Sequence, residues 1–492
     1  MSSIASKSLH GIIWSAVEKF SLQGVQFLIG IVLARLLFPS DFGMIGMLSI
    51  FMGVSQTFID CGFSSALIRQ KEVTAEDYGT TFLINATFSL IAFFILFFSA
   101  PFVASFYKMP ELESVMQVFS TTLIINALYT VHIIKLTRNV DFKTQSKATL
   151  CSALISGLIG ITLAYKGFGV WSLIYQALCN SILNLILLTL LLKWFPHLIF
   201  SRESFKKLFV FGSRIFIASI ISSIYANLYN IVIGKKFSAA NLGYYTRAEQ
   251  LGLFPSQNIA GILSRVTYPI LSQLQDNPEQ LKSVYTKYLQ LSCFIVFPLM
   301  MGLVALAKPL IIILFGDKWE QSAILLQILC IGFMFDPICN INLNLLYVKG
   351  RSDLVLKLEI IKKTIAISIL IASLPFGLTG LCIGRALYGI IATLLNMTYT
   401  KRFIDLSIWG QIRLFLPSLI LSLIMASGAY TITTFTINNG IQLLGGFIVG
   451  LLLYIIPALL FKLNSMKYIL ELLKSKNKTS SSQKSTSQEQ LY

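Results

Sequence analysis

The residues of this sequence best suited to chemistry are charged side chains that interrupt long apolar runs. A charge at the centre of a bilayer costs about 2.5–3.5 kcal/mol on insertion scales, so such side chains generally face a cavity or a partner. Pro337 removes a backbone hydrogen bond beside Asp336. An acid at such a break suits a proton or sodium site, and we interpret the acids as ion-coupling candidates. The five cations are Lys19, Arg214, Arg247, Arg265 and Arg385, and the three acids are Glu18, Asp60 and Asp336.

Local pairing is the structural alternative for these residues. Asp336 can mark a kink and pair with an arginine, and long basic side chains can snorkel to lipid headgroups. The other pairs that remain open are Lys19 with Asp60 or Glu18, and Arg247 with Glu249.

The composition places these residues in a membrane. Of the 492 residues, 55% are hydrophobic and only 12% are charged, whereas a soluble domain carries about 25% charged residues. This deficit excludes a soluble enzyme, a nucleic-acid-binding domain and a disordered scaffold. The seven cysteines lie in apolar stretches without a Cys-x-x-Cys pair, and the three histidines are far apart. The spacing therefore indicates neither a zinc centre nor a disulfide framework.

Apolar runs long enough to cross the hydrocarbon core, about 20 residues each, predict an all-α polytopic membrane protein. The eighth run is interrupted by Pro255 and Pro269 and is apolar on one side only, which indicates water or protein on the other side. The fourteen runs are 12–37, 41–68, 79–107, 113–134, 148–165, 169–192, 208–233, 241–272, 288–307, 321–348, 354–375, 378–400, 414–436 and 441–461.

The distribution of basic residues predicts the orientation. With the N-terminus inside, 28 Lys and Arg residues fall on inner segments and 7 on outer segments, as the positive-inside rule requires. Both termini are therefore expected in the cytoplasm, with residues 466–492 as a disordered tail. The seven outer cations are Arg35, Lys108, Lys166, Lys235, Lys236, Lys308 and Lys318.

The sequence contains a weak internal repeat. Pro-Ser-Asp-Phe-Gly at 39–43 aligns with Ala-Ala-Asn-Leu-Gly at 239–243, and three further matches follow in the same order. We predict two parallel six-helix lobes, at 1–200 and 201–405, around a central cavity, with two further helices at 406–465. Two such lobes that rock about a site between them are a recurrent transporter plan.

Several motifs resemble the Wzx-type polysaccharide flippases of the multidrug/oligosaccharidyl-lipid/polysaccharide exporter superfamily, especially the branch similar to the colanic acid exporter. The resemblance covers the first twelve predicted spans. It rests on residues 34–43, 137–143, 227–276 and 315–319.

The resemblance implies a bacterial inner-membrane protein that flips undecaprenyl-diphosphate-linked oligosaccharide to the outer leaflet by alternating access, for polysaccharide biosynthesis. We expect no catalytic residue and no cofactor, and coupling to a proton or sodium gradient stays open. The implied partners are the lipid-linked oligosaccharide, membrane lipids, a polysaccharide polymerase and assembly proteins. Relatives often carry Asn-Leu-Asp-Asn where this chain has Asn-Leu-Tyr-Asn at 227–230, so an ion-coupling role for that acid does not carry over.

A diphosphate cargo suggests roles for the cations, because Arg and Lys both bind phosphate. We predict a lower tier of Lys19, Arg214 and Arg265 that captures the diphosphate. An upper tier of Arg247 and Arg385 then receives it. Arg247 and Arg265 are 18 residues apart, about five turns, so an unbroken helix presents both on one face.

Polar and aromatic residues near 227 are candidates for contact with the glycan. Tyr225 and Tyr229 share a helical face and can stack on sugar rings, and Asn227 lies between them. Packing explains the same residues equally well.

Three other functions remain open. A small-molecule exporter on the same fold usually has twelve spans and an apolar cavity. A membrane glycan polymerase or ligase usually needs a sizeable outer loop, which this sequence lacks. A scaffold of a polysaccharide assembly complex leaves the intramembrane charges without a role.

Overall fold

The computed structural model describes the backbone of residues 2–468 and the side chains of residues 19–468. Every regular element in that range is helical, which confirms the predicted fold class. The side chain of Glu18 and most of the predicted tail lie outside the described residues. The helices are α1 (Ser2–Leu36), α2 (Pro39–Asp60), α3 (Phe63–Arg69), α4 (Ala75–Tyr107), α5 (Glu111–Arg138), α6 (Phe142–Tyr165), α7 (Val170–Leu192), α8 (Arg202–Ala226), α9 (Leu228–Lys236), α10 (Ala239–Gln273), α11 (Pro278–Ala305), α12 (Ala307–Phe315), α13 (Gln321–Phe333), α14 (Asp336–Val348), α15 (Ser352–Ser373), α16 (Gly377–Ile404), α17 (Ile408–Phe435) and α18 (Asn439–Leu460).

Twelve helical stretches among the described residues are long and apolar enough to cross a membrane. Three of them contain two helices each: α8 and α9 at 202–236, α13 and α14 at 321–348, and α15 and α16 at 352–404. Helix α10 is not among the twelve, yet it runs unbroken for 35 residues through both of its prolines. The predicted interruption of the eighth run is therefore absent from the backbone of α10, and the count of fourteen spans stays a prediction.

Three of the predicted spans consist of two helices each. The break between α2 and α3 contains Cys61 and Gly62, both in the left-handed region. The break between α8 and α9 is a single residue, Asn227, and the third break separates α13 from α14. Each break frees backbone groups that need other hydrogen-bond partners, so polar side chains nearby serve as caps.

The first compact unit comprises Met1–Thr246. Within it α1 packs on α6, α6 on α7, α4 on α5, and α2 on α4, α8 and α9. These contacts place α8 and α9 in unit 1, beyond residue 200, where the repeat predicts the first lobe to end. The predicted boundary was drawn from sequence correspondence, whereas the unit is defined by packing.

Loop residues of one resemblance motif cap helices in unit 1. The guanidinium of Arg138 donates hydrogen bonds to the carbonyl oxygens of Leu67 and Gln70 at the end of α3. Asp141 caps the start of α6, because its carboxylate accepts a hydrogen bond of 3.1 Å from the backbone N–H of Thr144. This motif therefore stabilises the ends of two helices.

The second compact unit comprises Arg247–Tyr492. Within it α11 packs on α17, α17 on α18, α13 on α16, and α15 on α16. A fully buried polar network ties α11, α14, α16 and α17 together. Its hydrogen-bonding side chains, which we call the Tyr285 network, are Tyr285, Asn342, Thr400 and Gln411.

Candidate functional site

A line of polar contacts runs along the part of α10 that belongs to unit 2. At its first position Glu249 forms an ion pair of 2.5 Å with Arg385 of α16, and each side chain is 18% exposed. The Arg385 guanidinium also lies 5.2 Å from the centre of the Phe333 ring. This pair joins α10 to α16 through opposite charges in a mostly apolar setting.

The second and third positions of this line are hydroxyl groups. Ser256 donates hydrogen bonds to the carbonyl oxygen of Phe333 at 2.8 Å and to the carboxylate of Asp336 at 3.3 Å. Ser264 accepts a hydrogen bond of 3.2 Å from the amide of Asn344. Residues 249, 256 and 264 recur about every two turns, so they lie along one side of the helix. We call the three contacts the α10 line.

Asp336 stands at the break between α13 and α14, as the sequence predicts, with Pro337 beside it. Its carboxylate lies at the N-terminal end of α14, where the helix dipole favours negative charge. Among the described residues Asp336 forms no ion pair, so the structure shows no arginine partner for it there. Its hydrogen-bond partner is the hydroxyl of Ser256.

The two cations on α10 differ in their surroundings. Arg247 donates a hydrogen bond of 2.9 Å to the side chain of Gln250 and lies 5.9 Å from the centre of the Phe315 ring. Arg265 is exposed. Helix α10 is continuous between the two arginines. The unbroken helix that the sequence-based prediction required for Arg247 and Arg265 to share a face is therefore present. Glu249 is bound by Arg385.

In unit 1 a cluster of hydroxyl and amide groups surrounds the break between α8 and α9. Asn227 donates to the carbonyl of Ser223 at 2.9 Å and accepts from the hydroxyl of Ser49 at 2.8 Å. Asn230 donates to the same Ser49 hydroxyl at 3.2 Å. These bonds attach α2 to the point where α8 ends, so Asn227 has a structural partner on another helix.

The two tyrosines near this break have different environments. Tyr229 is 8% exposed. Its ring lies parallel to that of Tyr245, with 6.2 Å between the ring centres. Tyr225 is half-buried and lies on α8, so Asn227 separates the two tyrosines. The structure therefore does not bring the pair together on one uninterrupted helix.

The remaining predicted residues of unit 1 lie apart from one another. Lys19 and Arg214 are exposed, and among the described residues neither forms an ion pair. Asp60 accepts hydrogen bonds from the backbone and the hydroxyl of Ser64 at the start of α3. Asp60 therefore caps a helix, and its bonds are to Ser64 rather than to Lys19.

Two glycines at equivalent positions of the repeat pack reciprocally in unit 1. A Cβ atom on Gly43 would overlap the backbone carbonyl of Ala239, and one on Gly243 would overlap that of Pro39. The start of α2 and the start of α10 thus cross in backbone contact. The repeat contained the signal for this crossing, because the two glycines end the aligned segments 39–43 and 239–243.

The fold is similar to that of two solved membrane proteins. A solved structure of the lipid II flippase MurJ in an inward closed conformation aligns with a TM-score of 0.75 at 17% identity, over 92% of this chain and 99% of that chain. An inward-facing multidrug resistance transporter of the MATE family aligns with a TM-score of 0.62 at 16% identity, over 80% of this chain and 98% of that chain.

The family is more specific than the fold. The sequence pattern of the family described as "polysaccharide biosynthesis protein" matches residues 32–324, and the chain belongs to this family. The lipopolysaccharide biosynthesis protein WzxC of Escherichia coli (strain K12) is 24% identical over 85% of this chain and 88% of that protein. The teichuronic acid biosynthesis protein TuaB of Bacillus subtilis (strain 168) is 25% identical over 72% of this chain and 74% of that protein. The predicted resemblance to Wzx-type flippases is confirmed.

Proposed function

We propose that this protein flips an undecaprenyl-diphosphate-linked oligosaccharide from the cytoplasmic to the outer leaflet by alternating access. The product serves the biosynthesis of a polysaccharide such as O-antigen, capsule or exopolysaccharide. We place the protein in the cytoplasmic membrane of a bacterium with both termini in the cytoplasm. A polysaccharide polymerase and assembly proteins then use the flipped unit.

One observation carries this proposal: a chain with twelve helical stretches apolar enough to cross a membrane among its described residues also contains the charged and polar α10 line, which begins with Glu249 and Arg385. A charged side chain inside a bilayer costs free energy, so such charges serve a polar passage or a polar ligand. The relatives named for lipopolysaccharide and teichuronic acid support a glycan cargo. The fold shared with a lipid II flippase supports a lipid-linked one.

We propose diphosphate contact for the predicted cations Lys19 and Arg214 of unit 1 and Arg265 of unit 2. All three are exposed and therefore able to meet a ligand. Asp336 is our candidate for coupling to a proton or sodium gradient, because it is an intramembrane acid bound only through the Ser256 hydroxyl among the described residues. Neither role needs a cofactor.

The test is translocation resolved by leaflet. Purified protein is reconstituted into liposomes with a fluorescent undecaprenyl-diphosphate oligosaccharide, and a membrane-impermeant quencher reports the outer leaflet with and without a gradient. We expect protein-dependent movement, lowered about tenfold by Arg214→Ala or Arg265→Ala, since a lost charged contact of about 1.4 kcal/mol is tenfold. The matched control is Lys166→Ala, an exposed lysine at the end of α6 outside both predicted tiers.

Each outcome separates the function from the site. Movement that survives both arginine changes supports the flippase and rejects these contacts. If no lipid-linked glycan moves under any gradient, the proposal fails. Efflux of small cations in the same liposomes then indicates the exporter, and its absence indicates the scaffold.

A further inference from the structure

Three of the few basic residues on outer segments lie at one pocket of unit 1. The pocket has a volume of about 750 Å³ and is formed where α4 ends, α9 ends and α10 begins. We call it the lysine pocket and define it by Lys108, Lys235, Lys236, Tyr107, Ser40 and Ser238. None of the described side chains that line it is acidic, so its charge is uniformly positive.

The lysines are held in different ways. Lys235 donates a hydrogen bond to the carbonyl oxygen of Phe106 and lies 4.0 Å from the centre of the Phe106 ring. Lys108 and Lys236 are exposed, and among the described residues neither forms an ion pair. Lys235 thus fastens α9 to the end of α4, whereas the other two ammonium groups have no acidic partner there.

A buried phenol without a partner lines the same pocket. Tyr107 is 6% exposed, and its hydroxyl has no hydrogen-bond partner among the described residues. A buried polar atom of this kind is costly unless a ligand or water supplies the missing bond. The phenol O–H is a donor that suits an anionic oxygen.

The backbone adds a further source of positive potential. Ser238, Ala239 and Ala240 line the pocket at the start of α10, a helix of 35 residues with no acidic residue in its first turn. The first N–H groups of a helix and its dipole favour an anion at this end.

We propose that the lysine pocket is an anion site that binds the phosphate groups of a lipid diphosphate at the outer end of unit 1. The identity of this ligand rests on the proposed function and its orientation. Phosphate offers several oxygens to Lys108, Lys236 and the Tyr107 hydroxyl, and ammonium groups bind it as point charges. The pocket receives the headgroup on the side where flipping delivers it.

The experiment measures binding by the full-length protein in nanodiscs of neutral phosphatidylcholine. One arm titrates inorganic pyrophosphate by calorimetry. A second arm adds undecaprenyl diphosphate to the disc, and a third adds phosphatidylglycerol instead. The variants are Lys108→Ala with Lys236→Ala, Lys108→Gln with Lys236→Gln, and Tyr107→Phe, with Lys166→Ala as the matched outer-lysine control. Thermal unfolding of each variant identifies any that fail to fold.

We expect the double lysine variants to lose about tenfold or more in affinity for pyrophosphate and undecaprenyl diphosphate. Tyr107→Phe loses a smaller factor, and Lys166→Ala stays within about twofold of the unchanged protein. Unchanged binding by folded double variants overturns the proposal, as does an equal loss in the control. Binding of pyrophosphate alone, or equal binding of phosphatidylglycerol, overturns the lipid diphosphate as the ligand.

The experiments test the proposed flippase function and the proposed anion site independently. If translocation is absent while the double variants lose diphosphate binding, the proposed function fails and the pocket stands. If translocation occurs and the double variants bind diphosphate normally, the pocket fails alone.

Discussion

Unit 2 contains two polar regions that differ in charge and in burial. The Tyr285 network is neutral and completely buried: the Tyr285 hydroxyl lies 2.8 Å from Asn342 Oδ1 and 3.0 Å from Gln411 Oε1, and Thr400 donates to Asn342 at 2.6 Å. The α10 line is charged at its first position and partly exposed. A satisfied neutral network joins helices without the desolvation cost of a charge, whereas an ion pair that is removed from water gains little net stability. The first region therefore serves the fold, and we infer that the second serves the passage of a polar ligand.

The largest expected effect comes from removing one partner of the Glu249–Arg385 pair. Breaking a buried pair from one side costs about 3–5 kcal/mol, and the 18% exposure of each side chain lowers that figure. We expect Glu249→Ala to lower the thermal unfolding temperature in detergent strongly, because Arg385 keeps its charge without its partner.

The double variant Glu249→Ala with Arg385→Ala is the control for that change. It should recover most of the unfolding temperature while translocation remains at least about tenfold below that of the unchanged protein. A double variant that is as unstable as Glu249→Ala, or that transports normally, contradicts the assignment of this pair to function.

The second prediction tests the Tyr285 network. Tyr285→Phe keeps the ring and removes the hydroxyl that lies against Asn342 and Gln411. Leaving a buried acceptor without a partner costs about 1–3 kcal/mol, so the unfolding temperature should fall while translocation per folded molecule is unchanged. The matched change is Tyr288→Phe, one turn along α11 and only half-buried, which should have little effect. A loss of transport in folded Tyr285→Phe protein would remove the distinction between the two regions.

The sequence predicts the helices well, because spans need long apolar runs and breaks need residues such as Gly62 and Pro337. It also identifies the charges that interrupt apolar runs. The sequence does not determine the partners of these charges. It allows Arg247 as an ion-pair partner of Glu249, but residues two apart on a continuous helix point to different faces. Arg385, far away in sequence, binds it instead. Such pairings depend on helix packing, which apolar runs leave unspecified.

The lysine pocket shows the same limit of prediction from sequence. Counting outer cations identifies Lys108, Lys235 and Lys236 singly, yet only the packing of α4, α9 and the start of α10 gathers them. The repeat contained more spatial information than the charges, because its aligned segments 39–43 and 239–243 are in backbone contact. Gly43 and Gly243 are the residues at which the two segments touch.

The smallest expected effect on stability comes from Asp336→Asn, at the second contact of the α10 line. The amide oxygen of Asn can still accept the hydrogen bond from Ser256, so the free energy of unfolding should change by less than about 1 kcal/mol. A carboxyl that carries a proton or binds sodium cannot be replaced by an amide. We therefore expect translocation to lose its dependence on an imposed gradient, measured in the same liposomes.

Ser256→Ala is the control, since it removes the hydrogen bond and keeps the acid, and it should retain gradient dependence. Gradient-driven transport by Asp336→Asn protein would assign the coupling acid elsewhere and leave Asp336 as a structural partner of Ser256.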